Sequence, residues 1–414
     1  MTPDVRSDFA PLSPARRASP EAPGATEAPE GTEAPEPADL TFEDERSPEP
    51  SPAPKYAAGS TLPRRVTPPA PGLPEAIAWC VAWFVTVQIL LTVPIAIAGR
   101  AIWEGISGQA LSAEATMNLA LPPAMALGAL LTLAVFRWRC GPLRKLGLAA
   151  PGWAPAGAAC LSLPVVMIAG GHWGAVAGEA WAALCEAVPA LRQMDSISSL
   201  TAVNRMLQTV PFPALILTIA VLPAIGEELL FRGFVGRGLI ARWGLVRGVA
   251  ITSVLFCLMH LHPAHVGALL PLAVFMHVAY LATRSVWVPI GLHFANNAGS
   301  LLLAKLLLAR DALPDPHATE PVTVATVCLL VATTALAGLA CVAVWSLRPR
   351  ATDEGGREVT PRWPTVEPPP LGRRLRFMTR FEPILLGLWG VSVLPLSALI
   401  TASMLAVGMG WAEM

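Results

Sequence analysis

The chain has little charge and no excess of either sign. Of its 414 residues only 14% are Asp, Glu, Lys or Arg, whereas soluble domains carry about 25%. Lys and Arg together number 29, as do Asp and Glu, so no basic field points to nucleic acid as a partner. A hydrophobic content of 54% and a mean hydropathy of +0.54 instead predict a membrane protein with several spans.

Three common signatures are also missing from the sequence. The cysteines show no CxxC spacing and most lie in apolar runs, which favours small buried residues over a metal or redox site. No HExxH is present, so the most familiar zinc-protease motif is excluded. No apolar segment follows the N-terminus directly, so we expect no cleavable signal peptide. The seven cysteines are Cys80, Cys140, Cys160, Cys185, Cys257, Cys328 and Cys341.

Residues 1–72 are rich in Pro, Ala and Glu and poor in large apolar side chains. Such a segment cannot bury enough surface to offset the entropy lost on ordering. We predict a disordered tail, partly in the polyproline II conformation, that serves as a tether.

Nine apolar stretches follow the tail. They cover residues 76–98, 117–136, 154–176, 210–225, 249–261, 266–282, 286–308, 322–345 and 384–407. Only helices and closed barrels cross a bilayer, and most of these lengths suit helices. The predicted fold class is therefore an all-α polytopic membrane protein with about nine transmembrane helices. The more polar link 179–205 has room for an interfacial helix.

Arginine clusters precede the first stretch and follow the second, fourth, sixth and eighth. Basic residues concentrate in cytoplasmic loops. This alternation predicts a multi-pass protein of the plasma or inner membrane, with its N-terminus in the cytoplasm and its C-terminus outside.

The fourth stretch ends in Glu-Glu-Leu-Leu-Phe-Arg-Gly, which begins at Glu227. Charged groups are costly inside a membrane and often functional there. On a helix Glu228 and Arg232 are four residues apart and share a face, so Arg232 can neutralise Glu228. Glu227 is rotated by about 100° and has no local partner. An unpaired carboxylate in apolar surroundings makes a better base. The alternative is a helix end that reaches water with an ordinary ion pair.

Imidazole and amide groups occur in the following stretches. Phe256 and His260 are four residues apart, and so are His293 and Asn297. Both His293 and Asn297 can donate hydrogen bonds to an anionic oxygen. Taken singly, each could be an ordinary interhelical hydrogen-bonding group.

Four other features have simpler interpretations. We expect His277 to be a satisfied interhelical group, and we expect His262 and His265 to be exposed in a short loop. Arg284 is expected to anchor the topology. The glycines after Arg232 do not have the spacing of a dinucleotide loop, and close helix packing explains them better.

Together the polar groups predict a hydrolytic site in the apolar core. Glu227 would take a proton from water, His260 would orient that water, and His293 with Asn297 would stabilise an oxyanion. A zinc ion held by Glu227, His260 and His293 is the competing chemistry. Asn297 is a poor zinc ligand and a good oxyanion donor, which favours the metal-free version.

The three motifs, Glu-Glu-x-x-x-Arg, Phe-x-x-x-His and His-x-x-x-Asn in that order, resemble those of the CAAX protease and bacteriocin-processing family. These intramembrane endopeptidases are related to the Ras-converting prenyl protease. The resemblance covers residues 205–310. It implies that Glu227 and His260 activate water and that His293 and Asn297 form the oxyanion site. It also implies that Glu228 and Arg232 support the first helix. Members are often described as metalloproteases, so the need for a divalent metal stays open.

These observations predict an intramembrane endopeptidase with a catalytic core at residues 207–310. Helices at 73–206 precede the core, and helices with a basic, Pro-rich loop follow at 311–414. The expected partners are the lipid bilayer and a protein or peptide substrate, with or without a lipid, processed at a CAAX-type, leader or sorting-tail site. A proton-coupled transporter and a non-catalytic membrane scaffold are the alternatives. No internal repeat supports the transporter.

Overall fold

The fold is taken from a computed structural model of the chain. The structure describes residues 71–196, 198–315, 318–319, 321–348, 351–352, 358–359 and 375–409. The predicted N-terminal tail therefore lies outside the described residues, except for its last two positions. Much of the basic loop after residue 348 also lies outside them.

Nine helices of more than one or two turns make up the described chain. We number them α1 Leu73–Ser107, α2 Ala113–Arg139, α3 Trp153–Ala187, α4 Ser199–Thr209, α5 Phe212–Leu258, α6 Pro263–Thr283, α7 Trp287–Leu308, α8 Val324–Ser346 and α9 Leu375–Met409. Short helical turns lie at Leu143–Leu146, Pro189–Arg192 and Gln193–Ser196. The two-residue strands Ala351–Thr352 and Glu358–Val359 pair antiparallel.

Seven helices in the described ranges are long and apolar enough to cross a membrane: α1, α2, α3, α5, α6, α8 and the Phe381–Met404 part of α9. The prediction of an all-α polytopic membrane protein is thus confirmed. The predicted count of nine differs for two reasons. The fourth and fifth predicted spans are joined into the single element α5, which is counted once although its two arms are separate. In addition, α7 contains His293, Asn296 and Asn297, which lower its mean hydropathy.

Helix α5 turns back on itself at Gly244. Its 47 residues would extend about 70 Å if straight, more than twice the hydrocarbon core of ~30 Å. Gly244 has φ 78° and ψ 174°, a backbone conformation that is essentially restricted to glycine. A Cβ on Gly248 would lie 2.6 Å from the Cα of Ile240, although these residues would be about 12 Å apart in a straight helix. The two arms of α5 therefore correspond to two separate spans.

Small residues bring α3 and α6 close together in the centre of the bundle. A Cβ on Gly170 would lie 2.6 Å from the carbonyl oxygen of Ala268, and one on Gly267 would lie 2.5 Å from the Cβ of Ala177. Such small residues allow membrane helices to pack backbone against backbone. Helix α6 also contacts α5, α7 and α8. It therefore packs against both helices, α5 and α7, that carry predicted site residues.

The glycines after Arg232 do serve close packing, as predicted. A Cβ on Gly233 would lie 2.7 Å from the Leu146 side chain, and one on Gly236 would lie 2.5 Å from the His277 ring. The expectation for His277 itself is wrong. It is fully buried, and neither ring nitrogen has a hydrogen-bond partner in the described chain. Its ring packs against Gly236 and edge-on against Tyr280, so it acts there as an aromatic space-filler.

The cysteines fit their prediction only in part. All seven are free, and Cys80, Cys185 and Cys257 are buried as expected. Cys160 and Cys328 are instead exposed on the outer faces of α3 and α8. An apolar run on a spanning helix need not be buried in protein, because lipid solvates its outer face.

Candidate active site

Two π-helical segments frame the turn of α5 that carries the carboxylates. Ile216–Val221 and Leu229–Val235 are π-helical, and the α-helical Leu222–Glu228 lies between them. A π turn holds an additional residue and redirects the side chains beyond it, and such turns are frequent at functional sites. Glu227 and Glu228 end the α-helical turn, and Arg232 lies inside the second π segment.

Glu228 and Arg232 form the ion pair that their spacing predicts. Arg232 Nη1 donates to Glu228 Oε1 at 2.8 Å, and both side chains are completely buried. Arg232 Nη2 donates to the carbonyl of Ala273 in α6 at 3.1 Å. The guanidinium also lies over the Phe256 ring, 4.6 Å from its centroid, which is a favourable cation–π distance. This pair is an internal support of the helix and does not face water.

Glu228 has a second partner that the sequence did not reveal. His293 Nδ1 lies 3.0 Å from the same oxygen, Oε1, and the His293 side chain is buried. A carboxylate only accepts hydrogen bonds, so Nδ1 carries the hydrogen. Nε2 of a neutral His293 is then an acceptor, and it becomes a donor only in the imidazolium form. Nothing in the spacing of one helix could have predicted this bond between α5 and α7.

Glu227 is the member of the carboxylate pair that remains uncommitted. It is half-buried, and its buried oxygen Oε2 has no hydrogen-bond partner among the residues described. It lies within electrostatic range of both the His260 imidazole and the Arg232 guanidinium. The prediction that Glu227 lacks a local partner agrees with this geometry.

His260 lies in the turn that follows α5. Its Nδ1 is 3.3 Å from the carbonyl oxygen of Phe256. Because a carbonyl only accepts, Nδ1 carries the hydrogen and Nε2 presents a lone pair. The Phe256 ring packs against both imidazoles, with centroid distances of 5.4 Å to His260 and 5.8 Å to His293.

Asn297 lies one turn beyond His293 on α7 and contacts α5 at a different level. Its Nδ2 donates to the carbonyl of Ile219, in the first π segment, at 2.9 Å. Its Oδ1 accepts from Asn296 Nδ2, also at 2.9 Å. One amide hydrogen of Asn297 is thus used between helices, and the second is the one that could serve a substrate oxygen.

The structure therefore brings five of the six predicted residues together. Arg232, His260 and His293 surround the Phe256 ring, Glu228 is bonded to Arg232 and His293, and Glu227 is the neighbour of Glu228 in the chain. The sixth, Asn297, flanks them on α7. In the ranges described, no group of three His, Cys, Asp or Glu residues is arranged to hold a metal ion. Since His293 uses Nδ1 on Glu228, only its Nε2 would be left for a metal. Whether Glu227, His260 and His293 bind zinc stays a prediction.

The expectation that His262 is exposed is wrong. Its side chain is 2% exposed, and Nε2 lies 3.1 Å from Asp195 Oδ1. His265 is half-buried, with Nδ1 at 2.9 Å from Ser199 Oγ. A polar residue beside a proline usually indicates a surface turn, but here the segment before α4 covers that turn. The sequence signal that could have suggested this is Asp195 itself, an acid in the link between α3 and α4.

Comparison with known families identifies the part of the chain that carries the cluster. Residues 209–299 match the family model described as Type II CAAX prenyl endopeptidase Rce1-like. The match contains all six predicted site residues. Comparisons with curated proteins and with solved structures found no match. The Rce1-like family is a protease family, and the chain is an integral, multi-pass membrane protein.

Proposed function

We propose that the protein is an intramembrane endopeptidase that hydrolyses a peptide bond with water activated by Glu227 and His260. One observation carries this proposal. Glu227 keeps a carboxylate oxygen without a partner in the described chain, close to an imidazole whose accepting nitrogen is fixed by the Phe256 carbonyl. A free base beside an oriented acceptor is the arrangement that water activation requires.

The reaction follows from these groups. A water molecule donates one hydrogen bond to Glu227 and the other to His260 Nε2. As its oxygen attacks the carbonyl carbon of the substrate, Glu227 takes the proton. The tetrahedral intermediate then collapses, the C–N bond breaks, and the proton passes from Glu227 to the leaving amine. The products are a new carboxyl group and a new amino group, and Glu227 returns to its starting state.

His293 and Asn297 would stabilise the negative oxygen of that intermediate. His293 can donate from Nε2 only as an imidazolium, because Nδ1–H is already directed at Glu228. Glu228 accepts from that cation and from Arg232, so the three groups together carry a net charge of +1, which the oxyanion would offset. The second amide hydrogen of Asn297 is the other donor. Preorganised donors of this kind are each worth roughly 10²–10³ in rate.

The substrate class we propose is a protein or peptide processed near its terminus, at a CAAX-type, leader or sorting-tail site. An apolar cavity of about 180 Å³ lies between α1, α2 and α5, with Trp79, Trp83, Leu230 and Phe234 among its lining residues. A Cβ on Gly226, next to Glu227, would lie 3.4 Å from the Trp83 ring. The cavity therefore adjoins the catalytic turn and would suit an apolar side chain or an attached lipid. We further propose that the N-terminus is cytoplasmic and that cleavage occurs near that membrane face.

The test is a peptidase assay of the purified full-length protein in lipid nanodiscs. The substrates are C-terminal peptides in matched pairs, one prenylated and one not, with the products identified by mass spectrometry in ¹⁸O-labelled water. We expect internal cleavage with one ¹⁸O atom in the new carboxyl group. Folded protein that cleaves none of the peptides would contradict the proposal. Proton flux across vesicles in the absence of cleavage would favour a transporter instead.

A further inference from the structure

A second polar cluster lies directly beside His260, on residues that the reaction above does not use. It joins the link between α3 and α4 to the turn between α5 and α6. Asp195 Oδ1, on the link, lies 3.1 Å from His262 Nε2. Ser199, the first residue of α4, has its Oγ 2.9 Å from His265 Nδ1. We call these four residues the clamp.

The clamp is anchored to α3 as well. Trp181 Nε1 donates to the same Asp195 oxygen at 2.8 Å, and the Trp181 and His262 rings meet edge to face with centroids 5.3 Å apart. His262 is 2% exposed and Trp181 is 8% exposed. A charge-assisted hydrogen bond in such a setting is stronger than its exposed equivalent. Asp195 therefore ties α3 firmly to the residue on which α6 begins.

The backbone between the clamp and His260 is strained. Leu261, which separates His260 from His262, has a φ of 57°, in the left-handed region that β-carbon-bearing residues disfavour. Such a conformation persists only when surrounding contacts impose it, and it is common at functional sites. In the part of the chain described, only two other non-glycine residues have positive φ, Arg284 and Asp311. The bond from Asp195 to His262 holds the chain one residue beyond this strained position.

The clamp also touches His260 through the second pair. The His260 and His265 rings lie edge to face with centroids 6.0 Å apart, and those of His262 and His265 are 6.4 Å apart. His265 is in turn fixed by Ser199. The turn that carries His260 is thus held by the bond between Asp195 and His262, and the His260 ring packs against His265.

We propose that Asp195 is a positioning residue for His260 and that it acts through His262 and the left-handed turn at Leu261. Asp195 lies outside the region that matches the family model, residues 209–299, so the match itself does not assign this role. The inference rests on the proposed peptidase function. The competing explanation is a structural link that only attaches α3 to the bundle.

Kinetics separate a positioning role from a structural one. The enzyme is the full-length protein in nanodiscs, and the probe is the best-cleaved peptide of the matched pairs. Asp195→Leu removes the acceptor, so we expect kcat to fall about tenfold to hundredfold, which is typical of a catalytic group that is misplaced by about 1 Å. KM should stay within about twofold, because the substrate-binding surfaces are unchanged. Asp195→Asn keeps an accepting oxygen and should retain most of the wild-type kcat.

Two further variants make the test decisive. Gln193→Leu places the same apolar side chain at an exposed position of the same link and should leave kcat and KM unchanged. His262→Phe keeps the ring against Trp181 and loses the bond to Asp195, so it should reproduce the fall in kcat even if Asp195→Leu does not fold. Hydrogen exchange at residues 259–265 should rise in His262→Phe and not in Gln193→Leu.

The possible failures can be told apart. If wild-type protein cleaves no peptide, the proposed function fails and this inference falls with it. If wild-type protein is active and folded His262→Phe keeps full kcat, the positioning role is wrong and the peptidase proposal stands. A loss of thermal stability with unchanged kcat would identify the clamp as a structural link only.

Discussion

Glu227 and Glu228 are neighbours in the chain with opposite surroundings. Glu228 is fully buried, and its Oε1 is bonded to both Arg232 and His293. Glu227 is half-buried and is bonded to neither. Each carboxylate keeps its Oε2 without a hydrogen-bond partner in the described structure. Glu228 therefore holds the neighbouring side chains together, and Glu227 is available for proton transfer. The two substitutions Glu→Gln at these positions should have different consequences.

At Glu227 we predict a loss of activity without a loss of fold. Glu227→Gln removes the proposed base, and general-base catalysis typically contributes 10²–10⁴ in rate. Peptide turnover should fall by that factor while the melting temperature stays close to that of wild type. Glu186→Gln, at an exposed position of α3, is the control. Wild-type turnover in Glu227→Gln would exclude it as the base.

At Glu228 and Arg232 we predict a loss of stability as well as of activity. Removing one partner of a buried pair leaves an uncompensated charge or an unpaired polar group, which costs ~3–5 kcal/mol. Glu228→Gln and Arg232→Ala should therefore lower the melting temperature or the yield of folded protein.

The chain contains a matched control for that prediction. Arg100 and Glu104 have the same spacing of four residues and pair at 2.8 Å, but their side chains are 47% and 36% exposed. Such surface pairs are worth about 0.3–0.5 kcal/mol, so Arg100→Ala should barely change stability. Equal shifts for Arg100→Ala and Arg232→Ala would mean that the Glu228 end of the helix is solvated.

Metal content is best tested at His293 and Asn297. In the metal-free mechanism, protein treated with a strong chelator keeps its turnover, and purified protein contains zinc well below one atom per chain. His293→Ala and Asn297→Ala should then each slow the reaction roughly 10²–10³-fold. The measurements are turnover and metal analysis by mass spectrometry on both variants. One zinc per active chain, lost in His293→Ala and kept in Asn297→Ala, would refute this mechanism.

Much of the site could be predicted at the level of single residues. The spacing of four between Glu228 and Arg232 is a property of one helix, so the sequence was enough to predict their pairing. Glu228 and His293 lie on different helices and are 65 residues apart in the chain. No local sequence pattern could have predicted the bond between them. The same limit applies to Asp195 and His262, 67 residues apart. Their contact depends on how the link before α4 folds over the bundle.

At the level of elements, two adjacent glycines in α3 offer a sharp comparison. A Cβ on Gly170 would lie 2.6 Å from the carbonyl oxygen of Ala268, whereas one on Gly171 has no neighbour within 4 Å among the residues described. Gly170→Ala should force α3 and α6 apart and cost about 1–3 kcal/mol. Gly171→Ala should be neutral or slightly stabilising because alanine favours helix. Melting temperatures of the two variants measure the difference.

That comparison has a clear contrary outcome. If both variants unfold at the wild-type temperature, α3 and α6 do not pack as closely as described. The positions of the helices were predictable from the apolar runs, but their ends were not, since α1 and α3 extend 9 and 11 residues beyond the predicted spans. The sequence did not predict that two spans join into α5, because the turn at Gly244 retains helical hydrogen bonding on both sides and lacks a separate loop.

At the level of the whole molecule, the catalytic core should work without the N-terminal region. Residues 1–60 are poor in large apolar side chains, and from this composition we predict a tether without a core of its own. We expect a protein lacking residues 1–60 to insert into membranes and to cleave a short peptide at the wild-type rate. Loss of turnover on that peptide would show that the region takes part in the reaction and is more than a tether.

The sequence thus predicted the fold class and the motif residues, but not the contacts that surround them. Composition and hydropathy were enough for the fold class, since every spanning segment must satisfy its own backbone. The order of three short motifs was enough to predict the family whose model residues 209–299 match. The support around these residues was not predictable, because Trp181, Asp195 and Ser199 have no motif and act only through tertiary contacts.

The π segments of α5 have a consequence for how such chains diverge. A π turn is geometrically equivalent to one residue inserted into an α-helix, and Leu229–Val235 is such a segment. Deleting a single residue there would remove the π turn and restore a regular helix of nearly the same length and hydropathy. If the lost residue lay between Glu228 and Arg232, their spacing would fall from four residues to three, and the buried ion pair would have to change its geometry. A descendant with that deletion would still insert into the membrane. We therefore expect a one-residue gap directly after Glu228 to disturb the site while leaving the fold class unchanged.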